Sequence, residues 1–113
     1  MNYRVVKNTI GDEIRIPHNG KTDFCPICGT SFNGCMVYYG DRDPGEEICP
    51  GCNMQFGDDD IPGHSDGSIT TDEYFQKIRI QWLIKNNWDK HLLNQLSTVL
   101  GIDTESIQKI MDQ

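Results

Sequence analysis

Four of the five cysteines in this 113-residue chain form two Cys-x-x-Cys pairs. The first pair is Cys25 and Cys28, the second is Cys49 and Cys52, and twenty residues lie between the pairs. Two residues between thiolates let the backbone turn so that both sulfurs converge on one ion, and a second pair then completes a tetrahedron. We therefore predict that the four cysteines bind one structural zinc ion.

The residues that flank the two pairs repeat. Pro26 and Pro50 follow the first cysteine of each pair and fix φ there, while Gly29 and Asn53 follow the second. Glycine and asparagine adopt positive φ at the lowest cost. Each pair is thus expected to form the same tight turn, here called a knuckle.

Other uses of the cysteines fit less well. A redox dithiol needs one pair beside a βαβ pattern, which is not evident here. A disulfide framework suits a secreted chain, but residues 1–7 contain no apolar signal segment, so we expect a cytoplasmic protein with reduced thiols. Cys-Pro-x-Cys knuckles also hold iron, so iron is the alternative metal.

The remaining reactive side chains do not suggest catalysis. We expect Cys35 to be a buried, inert thiol, and the three histidines, at positions 18, 64 and 91, share no ligand spacing. No nucleophile elbow, phosphate loop or His-Glu-x-x-His motif is present in the sequence. Four thiolates also leave no position for a reactive water on zinc. We therefore expect that the protein is not an enzyme.

The charge is strongly acidic. The chain carries a formal net charge of −7, and the segment from Asp41 to Glu73 has ten acidic residues and one basic residue. Nucleic-acid-binding proteins usually present a basic patch, so direct contact with DNA or RNA is not expected. No apolar run approaches the ~20 residues of a membrane helix. We predict a basic protein partner, bound through an acidic surface comprising Asp41, Asp43, Glu46, Glu47, Asp58, Asp59 and Asp60.

The three consecutive aspartates at 58–60 could also suggest a calcium site. An EF-hand loop requires alternating oxygen ligands and a glutamate twelve residues from its start, and this run has neither. We therefore assign the aspartates to the acidic surface.

The first half of the chain has the pattern of short strands. Residues 3–8 and 13–16 alternate around a turn at Gly11 and Asp12, which predicts a hairpin, and Pro17 is expected to end its second strand. Residues 36–39 and 54–56 are expected to form strands leaving the two knuckles, with a loop over 40–45 between them. Together these elements predict a small β zinc ribbon.

The second half has the pattern of helices. Thr70 and Glu73 have capping-box spacing before an apolar stripe that includes Phe75, Ile78 and Trp82. Asp89 and Gly101 are expected to bound a second helix, and a third begins at 103 or 104. We predict an α+β fold with a hairpin and ribbon over 1–62, and two to three helices over 63–113 packed on the ribbon as a single compact domain.

The sequence Phe24-Cys25-Pro26-Ile27-Cys28-Gly29, the later Ile48-Cys49-Pro50-Gly51-Cys52 and the run at 56–60 resemble the bacterial cysteine-rich CPCC family of small zinc-ribbon proteins. The resemblance covers about residues 23–88 and includes Trp82. Ile27 stands where the family has a second adjacent cysteine. Some related small acidic proteins are immunity proteins, so the resemblance implies an inhibitor of a basic bacterial toxin.

Three functional hypotheses follow. The first is a non-catalytic, zinc-stabilised protein-binding module of the immunity type. The second is a zinc-ribbon accessory factor in a transcription or translation complex, which would act through a protein rather than through nucleic acid. The third is a rubredoxin-like iron electron carrier. The first is preferred because of the acidic segment.

Overall fold

The structure is a computed structural model that describes residues 2–45, 47–61 and 70–111. Within these ranges five short strands precede three helices, which confirms the predicted α+β class. The strands are β1 (Asn2–Lys7), β2 (Glu13–Asn19), β3 (Thr22–Asp23), β4 (Tyr38–Gly40) and β5 (Asp43–Pro44). The helices are α1 (Thr71–Lys85), α2 (Lys90–Leu100) and α3 (Thr104–Met111).

Strands β1, β2 and β3 form an antiparallel sheet with β2 in the middle. Val6 lies opposite Ile14 in the β1–β2 register, and both side chains are buried. Arg15 and Glu13, which alternate with the buried residues of β2, are exposed. This period of two gives the hairpin one core face and one solvent face, as the sequence predicted.

The prediction that Pro17 ends the second strand is wrong, because β2 continues through it to Asn19. Pro17 lies opposite Tyr3 of β1, and its carbonyl accepts a hydrogen bond from the N–H of Phe24 at 2.9 Å, on the β3 side. The backbone of Pro17 therefore faces away from β1. Its missing N–H interrupts no hydrogen bond of the β1–β2 ladder, so the strand tolerates the proline.

The strands near the knuckles are shorter than predicted. A strand was predicted over 36–39, but β4 covers Tyr38–Gly40 and pairs with β5, which lies inside the segment expected to be a loop. Arg42 turns this hairpin with a φ of 59°. Residues 54–56 contribute a single bridge, between Gln55 and Ile48. The backbone near the two cysteine pairs therefore follows the tight turns of the knuckles, with little β-strand pairing.

The caps of the first two helices include the residues that the sequence indicated. The hydroxyl of Thr70 accepts a hydrogen bond from the N–H of Glu73 at 3.1 Å and caps α1. The carboxylate of Asp89 accepts from the N–H of His91 at 2.8 Å and caps the start of α2, and Gly101, with a φ of 65°, is its C-cap. Among the described helices, none is long and apolar enough to cross a membrane.

An aromatic cluster joins the ribbon to the helices. Phe56 lies just after the second knuckle and is 1% exposed. Its ring centroid is 6.2 Å from that of Phe32, 6.5 Å from that of Tyr38 and 6.4 Å from that of Phe75 in α1. The pairs with Tyr38 and Phe75 are edge-to-face and the pair with Phe32 is tilted, and such contacts add to the free energy of burial. The core thus lies between the ribbon and the first helix.

Asp23 is a buried polar junction between the sheet and the ribbon. Its carboxylate accepts hydrogen bonds from Nε of Arg4 at 3.0 Å and from the N–H of Val37 at 2.8 Å, and it lies 2.9 Å from Nδ1 of His18. Burial alone raises the pKa of Asp23, but the bonds from Arg4, Val37 and His18 lower it below the usual value. The ionised carboxylate therefore holds three segments together.

Candidate metal centre

The first knuckle is a tight turn closed by backbone hydrogen bonds. The N–H of Gly29 donates to the carbonyl of Cys25 at 2.9 Å, and Gly29 has a φ of 83°. The N–H of Cys25 donates to the carbonyl of Thr30 at 2.8 Å. The N–H groups of Ile27 and Cys28 point at the sulfur of Cys25, at 3.4 and 3.5 Å. Such N–H groups stabilise a thiolate, which is the form that binds metal.

The second knuckle repeats this arrangement. The N–H of Asn53 donates to the carbonyl of Cys49 at 2.9 Å, and Asn53 has a φ of 63°. The N–H of Cys49 donates to the carbonyl of Met54 at 2.9 Å, and that of Gly51 points at the sulfur of Cys49 at 3.4 Å. The residues predicted to adopt positive φ therefore do so in both knuckles.

The two knuckles bring the four predicted sulfur ligands together. All four Sγ atoms lie within 4.8 Å of one another. The Cys25–Cys52 sulfur distance is 3.8 Å and the Cys28–Cys49 distance is 3.5 Å. A tetrahedral site with metal–sulfur bonds of about 2.3 Å requires sulfur–sulfur distances of about 3.8 Å. The cluster fits one tetrahedral metal ion, and the chain is a small metal-stabilised domain.

Burial and the neighbouring thiols shift the pKa values within the four-cysteine cluster in opposite directions. Burial raises the pKa of Cys25, whereas hydrogen bonds from the Cys25 and Cys28 thiols lower the pKa of Cys49. Four adjacent thiolates repel one another strongly unless a cation lies between them. Metal binding at this site must therefore displace protons, and its affinity must fall as the pH is lowered.

Gly51 lies where the two knuckles meet. A Cβ atom at this position would be 2.1 Å from Oγ1 of Thr30 and 3.1 Å from Sγ of Cys28. The distance to Oγ1 of Thr30 is far inside van der Waals contact, and the distance to Sγ of Cys28 is a few tenths of an ångström short of it. The second knuckle therefore reaches the first because position 51 has no side chain. The second Cys-x-x-Cys pair thus requires a glycine at position 51 in addition to its two cysteine ligands.

Arg79 of α1 binds the backbone of the first knuckle. Its Nε donates to the carbonyl of Ile27 at 2.7 Å, and its Nη2 donates to the carbonyl of Pro26 at 2.9 Å. The residue is 8% exposed. Burial lowers the pKa of Arg79, and the charges of Cys25 and Cys28 oppose that shift, so the guanidinium stays protonated beside the thiolates. A site of four thiolates and a divalent ion carries a charge of about −2, which this cation partly balances.

Two further helical side chains bind knuckle carbonyls. Nε2 of Gln95, in α2, donates to the carbonyl of Cys28 at 2.8 Å and to Oγ1 of Thr30 at 3.1 Å. Nε1 of Trp82, in α1, donates to the carbonyl of Gly51 at 3.3 Å. Arg79, Trp82 and Gln95 thus connect the helices to both halves of the metal centre.

These three contacts were not predicted from the sequence. Trp82 was expected in the core, where it is 8% exposed, but its bond to the second knuckle was not expected. The position of Arg79 is a sequence signal that could have indicated its contact, because a charged residue interrupts the apolar face of α1 between Phe75 and Trp82. A cation on a buried helical face requires an anionic or carbonyl partner.

The predicted acidic surface is present only in part. Glu46 lies outside the described residues. Asp60 is 0% exposed and cannot contact a partner, so its inclusion in the surface is wrong. It accepts a hydrogen bond from the hydroxyl of Tyr38 at 2.6 Å and from the N–H of Gly57 at 2.7 Å. The last aspartate of the run therefore closes its own turn. The exposed members are Asp41, Asp43, Glu47, Asp58 and Asp59.

The other singled-out residues lie apart from the cluster. Cys35 is partly exposed rather than buried, and it is not among the grouped sulfurs. His18 contacts Asp23, His91 is exposed, and His64 falls outside the described residues.

No family model, no curated protein and no solved structure matches this chain.

Proposed function

We propose that this protein is a non-catalytic, zinc-stabilised domain that binds a basic protein through its exposed acidic residues. The four-sulfur cluster supports a structural role for the metal. Four thiolates complete the tetrahedron and leave no position for a reactive water or substrate. Binding by the surrounding surface is then the function that the architecture best serves.

The observation that carries the proposal is the exposed acidic surface of Asp41, Asp43, Glu47, Asp58 and Asp59. Among the described residues, both ion pairs are formed by the buried Asp23, so these five acids have no cationic partner there. Unbalanced like charges on one surface repel one another and favour a partner of opposite sign.

A contact between two segments brings part of this surface together. The backbone of Gly57 packs against the ring of Pro44, since a Cβ at position 57 would lie 2.7 Å from Cγ of Pro44. Asp43 precedes Pro44, and Asp58 follows Gly57. The two segments that carry the exposed residues Asp43 and Asp58 are thus in contact, although they are distant in sequence.

The resemblance of residues 23–88 to the CPCC family supports a narrower version of the proposal. In that version the partner is the basic domain of a bacterial toxin and this protein is its immunity protein. An inhibitor of a nuclease commonly presents carboxylates where the substrate would present phosphates, which is consistent with the charge found here.

Zinc is the metal that we propose. It has no geometric preference of its own and is the usual ion of four-thiolate structural sites. Iron in the same site would make the protein an electron carrier, and the oxidised protein would be red. The purified protein should be colourless, with zinc as its metal, and a red iron-loaded protein from native host cells would contradict this assignment.

The test of partner binding uses matched charge reversals. Asp43→Lys with Asp58→Lys changes the acidic surface, and neither carboxylate makes a hydrogen bond among the described residues. Glu105→Lys with Asn94→Lys and Ser97→Lys makes the same change in net charge at exposed positions of α2 and α3. The tagged variants and the unmodified protein are each used to capture partners from nuclease-treated lysate of the native host.

We expect the unmodified protein and the Asn94/Ser97/Glu105 variant to retain one basic protein that elutes at high salt, and the Asp43/Asp58 variant to lose it. Retention of the same partner by both variants with equal salt dependence would contradict the proposal. Capture of transcription or translation subunits by both would favour the accessory-factor hypothesis instead.

A further inference from the structure

The four sulfur ligands are not equally covered. Cys25, Cys28 and Cys49 are each 0% exposed, whereas Cys52 is partly exposed. The first knuckle is covered by Arg79 and Gln95, which reach it from two helices. The last ligand of the second knuckle is therefore the one that solvent and small reagents can reach.

Cys52 lines a cleft between the second knuckle and α1. The cleft has a volume of about 410 Å³, and its walls include Gly51, Asn53, Ile78, Trp82 and Lys85. This space is large enough for a small molecule of a few heavy atoms. Lys85 is the cationic residue of its lining, so anionic reagents are attracted to the same opening.

We propose that Cys52 is a modification site, and that its thiolate is the ligand of the metal centre that reacts with small oxidants of the hydroperoxide class. The inference depends on the metal site and is independent of the acidic surface and its partner. A thiolate is the nucleophile in such reactions, and its rate depends on access as well as on basicity. Among the four ligands, access is what distinguishes Cys52.

The chemistry proceeds in two steps. The Cys52 thiolate attacks the terminal oxygen of the hydroperoxide, the O–O bond breaks, and Cys52 becomes a sulfenic acid while the peroxide is reduced to an alcohol or water after taking up one proton. The Cys25 thiolate, whose sulfur lies 3.8 Å from that of Cys52, then attacks the sulfenic sulfur. A disulfide forms, and the hydroxide leaves as water with a second proton.

The disulfide removes two of the four metal ligands. The two remaining sulfurs form an incomplete site, so release of the ion is the measurable consequence. Loss of the ion also removes free energy that stabilises the fold. The cleft would thus make the stability of the domain responsive to peroxide.

The first test maps the order of modification in the zinc-loaded protein. The Cys35→Ser variant removes the thiol outside the cluster. It is treated with limiting N-ethylmaleimide, unfolded, labelled with an isotopic form of the reagent and digested for mass spectrometry. We expect Cys52 to react at least about tenfold faster than the other three ligands. Equal rates, or faster reaction at Cys25, Cys28 or Cys49, would overturn the proposal.

The second test uses hydrogen peroxide on the same zinc-loaded variant. Zinc release, followed with a chromogenic chelator, should coincide with formation of a Cys25–Cys52 disulfide, and a thiol reductant with added zinc should restore the folded protein. A first disulfide that does not contain Cys52, such as Cys28–Cys49, would contradict the inference.

The third test examines the cleft itself with the anionic aromatic disulfide 5,5′-dithiobis(2-nitrobenzoate). Lys85→Gln removes the cation from the cleft, and Lys77→Gln removes a cation from an exposed position on the same helix outside the cleft lining. We expect Lys85→Gln to slow the reaction of Cys52 about threefold relative to Lys77→Gln, with unchanged melting temperatures. Equal rates for the two variants would show that the reagent does not enter through this cleft.

Discussion

Nε of Arg79 donates a hydrogen bond of 2.7 Å to the carbonyl oxygen of Ile27, which stands between the two ligands of the first knuckle. A buried cation from the first helix thus binds the backbone that positions Cys25 and Cys28. The metal centre and the helical half of the chain are therefore one energetic unit, although the ligands all lie in the N-terminal half.

Replacing this cation should weaken both the fold and the metal site. Arg79→Gln leaves the carbonyls of Pro26 and Ile27 without their charged donor and removes the positive charge beside the thiolates. We expect a loss of about 2–4 kcal/mol in the free energy of unfolding and a loss of about 10–100-fold in metal affinity, because such contacts hold the ligands in place. Denaturant titration and competition with a zinc chelator measure the two effects.

Lys77→Gln is the matched control for Arg79→Gln, since it removes the same charge from an exposed position of the same helix. It should change neither quantity appreciably. If Arg79→Gln kept the metal affinity of the control, Arg79 would have only a packing role.

The ligand assignment predicts unequal effects of three cysteine substitutions. Cys28→Ser and Cys52→Ser each remove a sulfur from the cluster, while Cys35→Ser does not. We expect the first two to lose tight zinc binding and to melt at sharply lower temperature, because binding free energy at such sites is also folding free energy. Thermal melts with and without a chelator give the comparison. Similar losses at all three positions would refute the assignment.

Because Gly51 lies so close to Thr30, we expect a single methyl group added at position 51 to push the two knuckles apart. Gly51→Ala places a Cβ against Oγ1 of Thr30, so the sulfurs cannot keep their spacing without a backbone shift. We expect a loss of about 1–3 kcal/mol in the free energy of unfolding, together with weaker metal binding. Gly40→Ala is the control, because a Cβ there meets no atom within 4 Å. Equal stability of the two variants would be the contrary result.

The sequence indicated the ligands, the helix caps and the hairpin because each depends on residues close together in the chain. Thr70 and Glu73 are three positions apart, and the cysteines of each knuckle are two residues apart. The contacts of Asp23 with Arg4 and Val37, and those of Arg79 with the first knuckle, join segments from 14 to 53 positions apart, so no local pattern identifies the partners. Asp60 was misplaced for the same reason, since its partner Tyr38 lies 22 positions away.

The lowered pKa of Asp23 predicts how the stability of the fold changes with pH. Burial raises the pKa of Asp23 in the folded protein, but the hydrogen bonds with Arg4, Val37 and His18 outweigh this effect, so the pKa is lowered overall. Because the folded pKa lies below the ordinary value of about 3.9, the ionised carboxylate stabilises the fold at pH above about 4. That contribution is lost as the pH falls through the folded pKa.

Carboxyl chemical shifts of Asp23, followed by NMR from pH 7 downwards while the protein stays folded, should show no titration at its usual pKa. Asp23→Asn should cost about 3 kcal/mol of stability at neutral pH. Titration of Asp23 at or above the ordinary value would contradict the role assigned to its three donors.

A metal ion bound by Cys25, Cys28, Cys49 and Cys52 stabilises this fold. Native mass spectrometry of the protein, before and after extended treatment with a strong chelator, tests it directly, with a melting curve recorded on each sample. We expect about one zinc ion per chain before treatment, and a chelated protein that has lost both the ion and its cooperative melting transition. A chain that is purified without metal and melts at the same temperature with and without chelator would contradict it.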